Sequence, residues 1–337
     1  MVSDPSTSRA TAPDSLGPPG SASSATAAEE AAPRRRPRLH IVVFLAPALA
    51  IYTIFSIYPL IESLRLSLFS GNPDGSADFV GIANYARLLG DPNWAEQFWN
   101  ALWNNIVLFG VHMLVQNPIG LMLAALLSLP ALKLASTYRT LIFVPTLLSV
   151  VIVGFVWELI LSPLWGLSET LMGYVGLADF YQPWLGLEGT ALVTISLISV
   201  WQYVGIPMML IYAALLAVPD ELIDAARIDG LSGWSIFWKV KLPLILPTLG
   251  VVAILTYIGN FTVSFDLIYS VQGALGAPNF ATDVMGTLLF RTFFGQQLQL
   301  GDPFMGATVA SMLFFIILIG VSIYLFAVQR RLQRYEM

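Results

Sequence analysis

Residues 221–247 read ELIDAARIDGLSGWSIFWKVKLPLILP, a short polar island between two long apolar runs. Pro219 separates the island from the run before it. Asp220 is placed to cap the helix that follows, with Glu221 in its first turn, where an acid suits the positive end of the helix dipole. Leu222, Ala225, Ala226 and Ile228 are apolar, and the two alanines are small enough to let another surface approach closely. Gly230 can take the left-handed conformation that ends a helix. Ser232 can cap a second short helix through Trp234, Phe237 and Trp238. Pro243 and Pro247 then open the next apolar run, since proline is tolerated in a first turn. The product is a helix–Gly–helix hairpin. It is either a docking surface for another protein or an amphipathic connector lying on lipid, and these residues alone leave both readings open.

The rest of the chain defines the setting. Of 337 residues, 56% are hydrophobic and 11% charged, less than half of the roughly 25% charge of soluble domains. Six apolar runs are read as spans, at about 41–61, 104–127, 141–161, 190–218, 244–265 and 305–328. Each has at least roughly 20 residues, enough to cross about 30 Å at 1.5 Å per residue. The strict alternation of barrel strands is missing, so the expected fold is all-α, with six transmembrane helices. A shorter patch at 284–294 contains Arg291 and is read as an interfacial or half-inserted helix.

Basic residues orient these spans. Thirteen of the sixteen Lys and Arg fall on one side: the N-terminal tail with Arg34, Arg35, Arg36 and Arg38, the loop around Lys133 and Arg139, the island, and the C-terminal tail. Only Arg65, Arg87 and Arg291 fall on the other. The asymmetry predicts that both termini and the island are cytoplasmic. Trp94, Trp99, Trp103, Trp165 and Trp184 fit an aromatic belt on the outer side. Residues 1–38 are expected to form a disordered tail ending in a basic anchor, residues 39–329 the membrane domain with its hairpin at 219–243, and residues 330–337 a basic cytoplasmic tail.

Several chemistries are excluded. There is no cysteine, hence no disulfide or thiolate metal site, and His40 and His112 lie far apart in sequence. The lysines are 133, 239 and 241, and none follows a glycine as a phosphate-binding loop requires. Any ATP hydrolysis coupled to this chain is therefore expected in a separate subunit. A membrane enzyme would need a His/acid cluster or Ser/Lys dyad within spans. A secondary transporter would show broken helices and internal repeats, and it would leave the island unexplained.

The island resembles the cytoplasmic loop motif of ABC importer permeases, Glu-Ala-Ala-x3-Gly-x9-Ile-x-Leu-Pro. Asp224, Ala225, Ala226, Gly230, Val240, Leu242 and Pro243 occupy its positions, with Asp for Glu at 224 and Val for Ile at 240. Ala226 through Asp229 and Gly230 are similar to the carbohydrate-uptake branch. PALAIYTIFSIYPLIESLRLSL, FVGIANYARLL, YRTLIFVPTLLS and FTVSFDLIYSVQG agree with that branch in order and spacing, although Leu275-Gly276-Ala277-Pro278 stands where the family usually has Gly-Gly-Pro. The resemblance, covering about residues 40–335, implies a type I importer permease in a bacterial or archaeal plasma membrane. Its implied partners are a second related permease, two ATPase subunits carrying ATP and Mg, and an external solute-binding protein; no nucleic acid and no cofactor within this chain are expected. The coupling residues would be Glu221, Asp224, Ala225, Ala226, Asp229, Gly230, Val240, Leu242 and Pro243, and the solute would be a sugar or oligosaccharide, or else glycerol phosphate or another polar solute.

Polar groups within spans are costly, so they usually face partners or an aqueous path. Glu158 is read either as snorkelling or pairing at the outer interface, or as facing the solute. Asn260 and Ser264, on one helical face, together with Gln202 and Tyr203, are candidates for a translocation path or for interhelical hydrogen bonds. Asp266 closes the fifth span, where the resemblance favours fixing of the adjacent loop over solute contact. Asn104, Asn105 and Asn117 are read as interhelical glue.

Overall fold

A computed structural model describes residues 39–71, 76–165, 167–296 and 300–329. The two expected tails, with their basic clusters, lie outside the described residues. The chain divides into two units, Met1–Tyr52 and Thr53–Met337. The described part of the first is helix α1 (Leu39–Tyr52), whose side chains from Val43 onward are exposed.

The second unit opens with α2 (Tyr58–Leu66) and a short antiparallel ribbon of β1 (Phe69–Gly71) and β2 (Ala77–Phe79). Helices α3 (Ala83–Gly90), α4 (Pro92–Val111) and α5 (Asn117–Leu127) follow. Next come α6 (Ala135–Phe143), α7 (Val150–Leu161) and α8 (Leu167–Tyr174). Then α9 (Glu188–Tyr203), α10 (Gly205–Leu216), α11 (Asp220–Ile228) and α12 (Gly233–Ile236) lead into α13 (Leu242–Thr262). Helices α14 (Ser264–Gln272), α15 (Met285–Phe294) and α16 (Pro303–Ile323) complete the unit.

Among the described residues, four helices are long and apolar enough to cross a membrane: Val43–Leu66, Pro92–Leu127, Gly233–Thr262 and Pro303–Phe326. Two bent pairs bring the number to six if each is one span. The third expected span is thus not one straight helix. α6 with its 3-10 extension ending at Leu147 meets α7 at 93°, because Leu148 and Ser149 are extended. The fourth bends by 44° between α9 and α10. Pro207 has no N–H for the carbonyl of Tyr203, four residues earlier, and a helix lacking that bond kinks.

The hairpin also differs from expectation. Its second arm is not a separate short helix, for Gly233–Thr262 runs without a break. Pro243 is accommodated by a wide π-helical stretch, Phe237–Lys241, in which Leu242 N–H donates to the Phe237 carbonyl five residues back. The same device precedes Pro118, where His112–Gln116 is π-helical, and Pro59, where Thr53–Ile57 is. Each segment ends two residues before a proline, whose missing donor and bulky ring disfavour the ordinary turn. Asp220 is already helical rather than a cap, and Pro219 takes the capping position without a side-chain bond.

Three apolar clusters hold the unit together. One joins α5, α10 and the hairpin through Ala124, Met208, Ile211, Ile223, Ala226, Ile236 and Ile245. A second joins α4, α7, α9 and α14 through Leu108, Val153, Ile195 and Leu267. The third packs α15 on α4 and α16 through Phe98, Met285, Leu288 and Met305. α15 is therefore packed largely inside the protein, as a half-inserted helix can be. Its Arg291 is 1% exposed, a burial that only a paired charge tolerates.

Candidate functional site

A cavity of about 310 Å³ opens where α4–α5, α9–α10, α13 and α14 converge. The π-helical stretch supplies His112 and Gln116 to its wall, and the α9–α10 kink supplies Tyr203 and Pro207. Thr256 and Asn260 come from α13 and Ser264 from α14. Both proline-induced irregularities thus fall on the cavity, as helix irregularities often fall on functional sites. Every lining residue is uncharged.

The polar groups are ordered by their neighbours. His112 Nδ1 lies 2.7 Å from the Leu108 carbonyl and Nε2 lies 3.0 Å from Ser199 Oγ. A carbonyl only accepts, so Nδ1 carries the proton and the Ser199 hydroxyl donates to Nε2. Asn260 Nδ2 donates to the Thr256 carbonyl at 2.8 Å, and Ser264 Oγ donates to the Asn260 carbonyl at 2.6 Å. Asn105 Nδ2 reaches the same carbonyl at 2.6 Å, and Asn117 Nδ2 donates to Thr256 Oγ1 at 3.2 Å. Asn105 and Asn117 therefore tie α4 and α5 to α13 across the cavity's edge.

Of the expected path residues, Tyr203, Asn260 and Ser264 meet at the cavity. Gln202 does not; it is fully buried and splints the break in the third element, with Nε2 donating to the Leu148 carbonyl at 3.2 Å. Glu158 and Asp266 are exposed and outside the lining. The loop after α14 is held instead from α4. Asn100 Nδ2 donates to the Phe280 carbonyl at 2.8 Å, and Asn104 Nδ2 to the carbonyls of Ala281 and Asp283 at 3.1 and 2.8 Å. Arg291 clamps the loop's end, with Nη2 2.7 Å from Asp283 Oδ2 and 3.1 Å from Gln97 Oε1. His112, Gln116, Ser199, Thr256 and Asp283 escaped the sequence reading. One available signal was the spacing of His112 and Gln116, polar residues four apart on one helix.

The hairpin is built so that its backbone is closed and one face is open. Gly230 has φ +80°, and the Leu231 N–H donates to the Ala226 carbonyl and the Gly230 N–H to the Arg227 carbonyl, each at 3.0 Å. This pair of bonds is the Schellman ending. Ser232 Oγ accepts from the Ser235 N–H at 3.3 Å and caps the second arm. Ile223 and Ala226 point into the core, whereas Glu221, Asp224 and Ala225 are exposed and Ile228 is 87% exposed. The motif thus divides in two. Ala226, Val240 and Leu242 pack inward against α5, α10 and α13. Glu221, Asp224, Ala225, Asp229 and Gly230 face outward, and Pro243 is half-buried.

Comparisons with known proteins agree with this architecture. Residues 116–334 match the family described as the binding-protein-dependent transport system inner membrane component. The probable ABC transporter permease protein YurN of Bacillus subtilis is 33% identical over 261 residues, covering 76% of this chain and 86% of YurN. The lactose transport system permease protein LacF of Rhizobium radiobacter is 30% identical over 252 residues, covering 75% of this chain and 82% of LacF. Among solved structures, a chain of a bacterial ABC transporter that imports the acidic polysaccharide alginate superimposes with a TM-score of 0.71 at 22% identity, covering 88% of this chain and 96% of that one. The protein belongs to the family of binding-protein-dependent transport system inner membrane components.

Proposed function

We propose that this chain is the membrane-spanning subunit of an ATP-driven importer for a sugar or oligosaccharide. It sits in a bacterial or archaeal plasma membrane and forms the pathway with a second, related permease. Two ATPase subunits, which carry the ATP and Mg, dock on the 219–243 hairpin, and an external binding protein delivers the solute. The charge asymmetry along the chain supports cytoplasmic termini and a cytoplasmic hairpin. The permeases named above and others for α-glucosides and arabinooligosaccharides support a saccharide cargo.

One observation carries the coupling. Gly233–Thr262 is a single helix whose first three turns belong to the hairpin and whose last two turns line the cavity with Thr256 and Asn260. At 1.5 Å per residue it spans roughly 45 Å. A displacement of the hairpin by the ATPases is thereby transmitted along one rigid rod to the cavity wall. Ligand-driven switching requires contacts that differ between two states, and the exposed face of Glu221, Asp224, Ala225 and Ile228 is where they would be made.

The test uses Ala225→Asp and Gly230→Pro in the full transporter. Both variants are expected to insert normally, to lose co-purification of the ATPase subunits, and to lose uptake. Normal uptake in both would falsify the docking role.

A further inference from the structure

The cavity presents two buried acceptors with nothing to accept. Gln116 Oε1 and Asn260 Oδ1 lie on its wall, each residue is 6% exposed, and neither oxygen has a hydrogen-bond partner among the described residues. The orientation of the Asn260 amide is set by its Nδ2 bond to the Thr256 carbonyl, and the same side chain lies beside the His112 imidazole. Buried polar groups without partners are rare because each forfeits its solvation. Two on one cavity mark a place where a ligand completes the bonding.

The rest of the wall specifies that ligand. The hydroxyl protons of Ser199, Thr256 and Ser264 are already committed to His112 Nε2 and to the backbone carbonyls of Val252 and Asn260. Tyr203 adds one hydroxyl that can either donate or accept. What remains open includes the whole Gln116 amide, which offers both lone pairs and N–H groups, so the ligand must carry groups such as hydroxyls that donate and accept. A cationic donor would need a carboxylate on the wall, and an anion would need a cation; neither lines the cavity.

We infer that Gln116 and Asn260 select solutes by hydrogen bonding to the hydroxyls of a neutral, polyhydroxylated molecule, with Gln116 as a specificity-determining residue of the pathway. This rests on the transport reading above and gives its cargo a chemistry.

The experiment measures ATP-driven uptake by the full transporter in vesicles supplied with its binding protein. The probes are the neutral disaccharides lactose and maltose and the anionic digalacturonate. A neutral disaccharide is expected to be carried and digalacturonate to be excluded. Gln116→Leu is expected to lower turnover for the neutral sugar about tenfold, the loss of roughly one hydrogen bond. The half-saturating concentration, set by the binding protein, should stay put. The thermal midpoint of the sugar-free Gln116→Leu complex should not fall, because an unpaired polar atom is replaced by an apolar one. Preferential uptake of digalacturonate overturns the inference, as does unchanged turnover in Gln116→Leu, or a lowered thermal midpoint that by itself accounts for lost turnover. Sugar uptake that persists without ATP would sink the ATP-driven reading while the Gln116 comparison still stands.

Discussion

Two connections show how differently this chain finishes its helices. The hairpin at 219–243 satisfies its own backbone: the Schellman bonds are local, Gly230 has no atoms near where a Cβ would stand, and one face is left bare. The loop at 273–283 is fastened by distant groups, with Asn100 and Asn104 reaching its carbonyls from α4 and Arg291 buried on Asp283. A Cβ on Gly276 would stand 2.5 Å from the Asp283 backbone. The first segment is closed by its own bonds and leaves a face free for another surface, as the proposed docking requires; the second is stitched to its surroundings.

The comparison breaks hardest at the buried ion pair. Asp283→Leu strands the Arg291 guanidinium inside the protein, and removing one partner of such a pair costs about 3–5 kcal/mol. Thermal unfolding of the purified chain should show the loss, and the double change Asp283→Leu with Arg291→Met should recover most of it.

The two glycines sharpen the contrast. Both have positive φ, +59° at Gly276 and +80° at Gly230, and alanine in that conformation costs roughly 1–2 kcal/mol. Gly276→Ala adds a collision with backbone and should destabilise by clearly more than that. Gly230→Ala should remain within it. Equal losses in the same unfolding assay would show that the loop is looser than its packing indicates.

The smallest effect is expected at the exposed Asp224–Arg227 pair, 2.8 Å apart with both side chains 64% exposed. Asp224→Asn should change stability by less than about 1 kcal/mol, as exposed pairs do. A measurable loss of ATPase association at unchanged stability would place Asp224 in the contact itself.

Local features were legible because local physics governs them. The hairpin, its left-handed glycine, its serine cap and the interhelical Asn105 and Asn117 follow from short-range rules of capping and of polar groups in apolar helices, whereas Asn104, expected between helices, holds the carbonyls of the 273–283 loop. So did Tyr203, Asn260 and Ser264, the last two because their spacing puts them on one face. The prolines at 59, 118, 207 and 243 each mark a bend or a widened turn.

By itself, then, the amino-acid order determined a mostly helical membrane protein, where its apolar runs lie and where its polar hairpin turns, since hydrophobic length and turn chemistry act within a few residues of chain. Only the tertiary structure decided that Gln202 splints a break while Gln116 faces a cavity, that Ala226 packs while Ala225 is bare, and that Arg291 finds Asp283 in the interior. Those outcomes depend on which distant helix arrives opposite each side chain, and a linear pattern does not encode that meeting.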